Sequence, residues 1–187
     1  MSDDFNYAAT RFKPNPSILL QPGIVKPLHE VNPRTVMGRK WWDEKRREAY
    51  ESTGFHCLAC GVDRVVLEAH EEYKINFKLH RYTLKSVVPL CYLCHAYIHL
   101  GRCEMQVRRG EMTRETFIII AVHGDHLLGE VGLDKDAYLL TLCDGDINKF
   151  YPELNGSWNK WHLFIEGKKF FSPHKTYEEW KERWSRE

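Results

Sequence analysis

Apolar and polar positions change their period along this chain, and each change predicts an element. In Trp41-Trp42-Asp-Glu-Lys-Arg-Arg-Glu-Ala-Tyr50, the residues Trp41, Trp42, Ala49 and Tyr50 share much of one helical face, so a helix is predicted that Ser52-Thr53-Gly54 closes. Val65 to Ala69 reads as a short strand and Leu84 to Leu90 as a second apolar run. A helix follows from about Cys91 to Leu100, giving the order strand, strand, helix. Beyond Gly101, Thr116 to Val122 is β-prone, a His123-Gly-Asp-His126 turn follows, and Leu127-Leu128 is a short apolar run. Tyr138 to Leu142 and Trp161 to Ile165 are apolar runs separated by Asp/Gly/Asn-rich turns. Glu166-Gly167-Lys168 predicts a hairpin turn into Phe170-Phe171, and Tyr177 to Arg186 a capped amphipathic helix starting near Thr176. Residues 1 to 33 are proline-rich with little periodicity, which predicts an extended arm that gains order only by packing on something else.

These elements define an α+β chain in three segments: an arm over 1–33, a helix plus a strand-strand-helix core over 34–101, and a small α+β extension over 102–187. With 187 residues, 43% hydrophobic and 13% aromatic, the chain can bury one real core. Twenty-seven basic against 26 acidic residues leave a net charge of +1, so any attraction for nucleic acid must be local. No apolar run approaches the roughly 18 to 20 residues of a membrane span, so no membrane partner is expected. No apolar leader opens the chain, so its six cysteines are read as thiols of a reducing cytoplasm and not as disulfides.

Candidate chemistry concentrates in the middle segment. Cys57/Cys60 and Cys91/Cys94 form two Cys-x-x-Cys pairs separated by 30 residues, which puts four thiolates on two short knuckles. Tetrahedral zinc, with Zn–S of about 2.3 Å, prefers that arrangement, and four thiolates leave no open position, so the ion is a staple. Cys103 and Cys143 lack partner spacing and read as ordinary small residues. His95 and His99 lie four apart on the predicted helix and can chelate one ion from one face. His70, at the end of the first strand, can complete a second site.

Cys57-x-x-Cys60-Gly61, Leu67-Glu-Ala-His70-Glu71 and Val88-Pro-Leu-Cys91-x-x-Cys94-His95-x-x-x-His99 together resemble the His-Asn-His (HNH, ββα-metal) nucleases, in the subgroup tied by four cysteines. The resemblance covers about residues 55 to 101 and extends to uncharacterised HNH-type proteins of phages and bacteria. It implies a zinc-stapled ββα-metal core and a metal-dependent endonuclease or nickase that hydrolyses DNA. In its register His70, His95 and His99 bind the second divalent ion, which would be Mg²⁺, Mn²⁺, Ni²⁺ or Zn²⁺. Glu71 stands at the position of the general base, and Ser86 at that of the asparagine which orients the base. Glu71 or Glu72 can alternatively act as a fourth ligand. The resemblance equally allows an inactive zinc module that binds nucleic acid, or a phage protein that binds a host protein. Either would act in the cytoplasm of a bacterium or a phage-infected cell.

A phosphate backbone needs local positive charge. Arg34 to Arg47 carries six basic residues against two acidic, Arg39, Lys40 and Arg46 among them, and Lys74, Lys78, Arg81 and Lys85 follow with no acid between. Arg102, just past the metal helix, extends the expected track.

Overall fold

The computed structural model describes residues 12–184 as a mixed α+β fold, with eight helices and one four-stranded sheet among those residues. Helix α1 (Pro33–Val36) leads into α2 (Arg39–Ser52), then a hairpin of β1 (Leu67–Asn76) and β2 (Arg81–Cys91) runs directly into α3 (Tyr92–Ile98). The extension adds α4 (Leu100–Arg108), α5 (Arg114–Glu130), α6 (Lys135–Leu142), α7 (Pro152–Asn155), β3 (His162–Ile165), β4 (Lys168–Phe171) and α8 (Tyr177–Trp184). The last two residues expected in that final helix, 185 and 186, lie outside the described residues.

Sheet order is β1-β2-β3-β4, antiparallel except for β2 with β3, which are parallel. The β1–β2 pairing is longer than the apolar runs suggested, because polar residues such as Glu72, Lys74 and Thr83 continue the ladder past a bulge at Glu72/Tyr73. Between β3 and β4 the turn is the expected one. Glu166 and Gly167 have φ of 48° and 81°, the positive values at both positions that the type I′ two-residue hairpin turn requires.

The arm takes its order from packing on the rest of the chain. Within residues 12–33 the arm is built into the core. A 3-10 turn at Pro16–Leu20 buries Ile18, Leu19 and Leu20 beside Cys57, Ala59 and Cys94, and Val25, Leu28 and Val31 enter a second cluster with Tyr82, Trp161 and Leu163. Asn15 N–H donates to Leu58 O (2.7 Å) and Leu58 N–H to Pro89 O (2.8 Å), so the arm holds the first cysteine knuckle, and the knuckle holds β2. The apolar residues come in threes on proline-led turns, too short for any period to show. Residues 1–11 of that arm lie outside the described residues.

An expectation that fails is Thr116 to Val122, which with the expected turn at 123–126 lies inside α5. Thr113 caps this helix by accepting from Thr116 N–H (3.2 Å), and Ile120, Gly124 and Leu128, four apart, are buried along it. Burial of that stripe against α3 outweighs the few tenths of a kcal/mol by which β-branched residues disfavour a helix. The contact is close: a Cβ on Gly124 would overlap the Tyr97 ring. Gly124→Ala is therefore expected to destabilise the fold by about 1–3 kcal/mol through overpacking, although alanine is the better helix former. A lowered urea midpoint at constant slope would show it.

The first core cluster takes residues from the arm, the cysteine knuckles, α3 and α5, and so crosses both expected segment boundaries. Among the described residues no single helix is long and apolar enough to cross a membrane.

Candidate functional site

The first knuckle is shaped by backbone bonds. Cys57 N–H donates to Val62 O (2.9 Å) and Gly61 N–H to Cys57 O (2.8 Å), with Gly61 at φ 77° turning the chain back. The second knuckle starts where β2 ends: Cys91 is the residue before α3, and Cys94 lies in its first turn. The hairpin closes the distance between them. All four sulfurs lie within 4.8 Å of one another, none is in a disulfide, and Cys57 and Cys94 are fully buried. Hydrogen bonding from Cys60 holds the Cys57 thiol below its ordinary range, while hydrogen bonding to Cys57 pushes the Cys94 thiol above it. A cluster that shares its protons in this way becomes four thiolates only when a cation replaces them, and tetrahedral sulfur ligation suits zinc. Cys103 and Cys143 stand outside this group, buried and donating to Ala96 O and Leu140 O.

A second group forms one helical turn further on. His70 on β1, His95 on α3 and His99 at the α3–α4 break each bring one ring nitrogen within 4.8 Å of the others, so this group too can hold a metal ion. The expected helix from Cys91 to Leu100 is interrupted at His99, whose φ/ψ of −100°/33° end α3 and begin α4. Ring centroids are 5.0 to 5.2 Å apart, all edge-on. Burial, followed by the His99 and His95 charges, holds the His70 pKa well below its ordinary value. His99 is exposed as a whole residue, yet desolvation first, with the His95, Arg102 and Lys135 charges adding to it, brings its pKa down to about 4. Both rings are neutral at neutral pH, the state a metal binds. His70 Nδ1 is buried without a hydrogen-bond partner, an uncompensated lone pair of the kind that ligation would satisfy.

Glu68 was not singled out by the sequence. Its carboxylate is bonded to His95 Nδ1, and it lies two residues before His70, hence on the same face of β1. That spacing of two from a strand histidine was the available signal. Glu71 is not part of the histidine group. One residue beyond His70 on a strand, it projects to the opposite face, where burial raises its pKa and, with the Glu71 charge second, raises that of Tyr73. Ser86 is not beside Glu71 either: its hydroxyl donates to Glu72 (2.7 Å), which also pairs with Lys85. Neither Glu71 nor Glu72 joins the three histidines as a fourth ligand within the same distance.

A cavity of about 500 Å³ opens beside this group, lined by Glu68, His95, His99, Arg102, Gln106 and Thr113 among others. Of the basic residues expected to meet a phosphate backbone, Arg102 alone lines it. Lys40, Lys74 and Lys78 are exposed and, among the described residues, form no ion pair. Arg39 and Arg46 both pair with Asp43, at 3.6 and 3.3 Å. Arg81 stacks over Phe164 (5.1 Å) with Nε buried and unpaired, so it belongs to the sheet.

Fold and site together define a mixed α+β protein organised around a four-cysteine cluster that can hold zinc. Comparison with protein-family models, with curated proteins and with solved structures finds no match for the chain.

Proposed function

We propose that this protein is a metal-dependent endonuclease or nickase of the HNH type, acting on DNA phosphodiesters. One observation carries the reading: three imidazoles from a β-hairpin and the helix after it converge on a single point beside a cavity, next to four cysteines that can fix that hairpin and helix with zinc. A divalent ion there would neutralise charge on the phosphoryl group and the leaving oxygen. His70, His95 and His99 would hold it. The donor set fits, with two rings neutral and one buried nitrogen lacking any other partner.

Glu68 takes His95 Nδ1, which leaves His95 Nε2 for the metal and fixes the ring. It lines the cavity and Glu71 does not, so in this reading Glu68 is the carboxylate within reach of an attacking water. Arg102 provides a cation on the same wall for a phosphate oxygen. Glu68→Gln is expected to weaken divalent binding at the histidines by about 10- to 100-fold while the zinc content stays constant. Calorimetric titration with Mn²⁺ measures it, and equal affinities would remove Glu68 from the site.

The direct test is nicking of supercoiled plasmid with Mg²⁺, Mn²⁺ or Ni²⁺, against His95→Ala protein. Equal residual cutting by both proteins across those metals would sink the nuclease reading. A second reading, a non-cutting module that binds nucleic acid, is favoured by the engagement of Ser86 with Glu72, away from the histidines. Salt-sensitive binding without nicking would establish it.

A further inference from the structure

The four cluster sulfurs sit on two tight Cys-x-x-Cys knuckles. One of them is also met from outside the knuckles: His123 Nε2 lies 3.3 Å from Cys94 Sγ. His123 is on α5, 29 positions along the chain and in the extension, so no knuckle geometry put it there.

Its place is fixed by the packing of α5. Ile120, Gly124 and Leu128 form the buried stripe of that helix, and Gly124 seats the helix directly on Tyr97, three residues after Cys94. Tyr97 Oη also donates to Asp125 (2.7 Å), which fixes the rotation of α5 about its axis. Three positions after Ile120, His123 borders the stripe and meets the sulfur with little freedom to leave it. Four thiolates around a divalent ion carry a net charge of −2 in a buried setting, so each sulfur gains from an N–H aimed at it.

We infer that His123 is the outer-sphere donor to the Cys94 thiolate, a positioning residue that couples the extension to the metal cluster. Its Nε2–H donates to sulfur and so fixes that tautomer. The bond withdraws charge from the sulfur and thereby slows both its attack on electrophiles and its release of the ion. The inference rests on metal at the cysteines and is independent of the nuclease reading.

The test uses the full chain loaded with zinc, or with cadmium for NMR, and compares wild type with His123→Leu and His123→Gln. Zinc release to a chromogenic chelator under excess N-ethylmaleimide is expected to be roughly tenfold faster in His123→Leu and near wild type in His123→Gln, which keeps an N–H. The cadmium resonance is expected to move in the leucine variant and to return towards wild type in the glutamine variant. Should His123→Leu fail to fold, nitrogen–proton correlation spectra of the wild type decide by themselves. An Nε2–H tautomer coupled to cadmium supports the inference, and an Nδ1–H tautomer overturns it. Equal release rates with an unmoved cadmium resonance overturn it as well, as does a chain that takes up neither metal.

Discussion

Cys94→Ser, or removal of the ion from the four cysteines by a strong chelator, is expected to abolish cooperative folding of the first core cluster. A structural zinc site of this kind contributes about 10–16 kcal/mol of apparent binding free energy near neutral pH. That is comparable with or larger than the entire 5–15 kcal/mol by which a domain is ordinarily stable. The effect is large here because the cluster is where separate parts of the chain meet: Leu58, between the two cysteines of its knuckle, accepts from Asn15 and donates to Pro89. Ile18, Leu19, Leu90 and Ile120 pack in the same core as Cys57 and Cys94. Losing the ion leaves four clustered sulfurs, three of them on buried cysteines, without a bound cation in that core. Stoichiometric zinc in the purified protein, and a loss of near-UV dichroism on chelation, are the measurements. A chain that keeps its melting transition after complete zinc removal would show that apolar packing alone holds it.

The second large effect falls on the histidines. His95→Ala and His70→Ala are each expected to lower plasmid nicking by about three orders of magnitude, since a metal ion supplies several kcal/mol of charge stabilisation and each 1.36 kcal/mol is tenfold in rate. Their melting transitions should stay close to wild type. His95 is half-buried at the edge of the cavity and holds up no core, whereas His70 is buried with an unsatisfied Nδ1, so its removal takes away a polar group that costs stability unless ligated. The expected pattern is lost activity and a lost second metal equivalent, with the zinc equivalent retained. Loss of activity together with loss of zinc would mean that the substitutions had disturbed the cysteine knuckles, and the assignment of roles to the two clusters would fail.

Much of this arrangement is legible locally. Cys-x-x-Cys spacing forces two sulfurs onto one turn whatever surrounds it, and the four-residue spacing of His95 and His99 keeps them one turn apart even though α3 ends before His99. Strand alternation is equally legible: neighbours on a strand face opposite ways, so the carboxylate on the same face of β1 as His70 is two positions away, at Glu68, where it meets His95. The HNH resemblance puts the base at the adjacent position, Glu71, whereas Glu68 is the carboxylate that meets His95 and lines the cavity. Thr116 to Val122 shows the converse limit. Its β-branched content is real, yet the four-residue spacing of Ile120, Gly124 and Leu128 meets a surface on α3 that local propensity does not record.

By itself, then, the sequence determined the four-cysteine cluster, the hairpin followed by a helix, and the four-residue spacing of His95 and His99, because each depends on spacing within a few residues or on one short hairpin. Tertiary structure alone decided that the arm enters both cores, that α5 is a helix seated on Tyr97, that Glu68 and not Glu71 meets His95, and that His123 reaches Cys94. These are contacts between distant segments, fixed by which surfaces must be buried together, and burial is a property of the assembled chain.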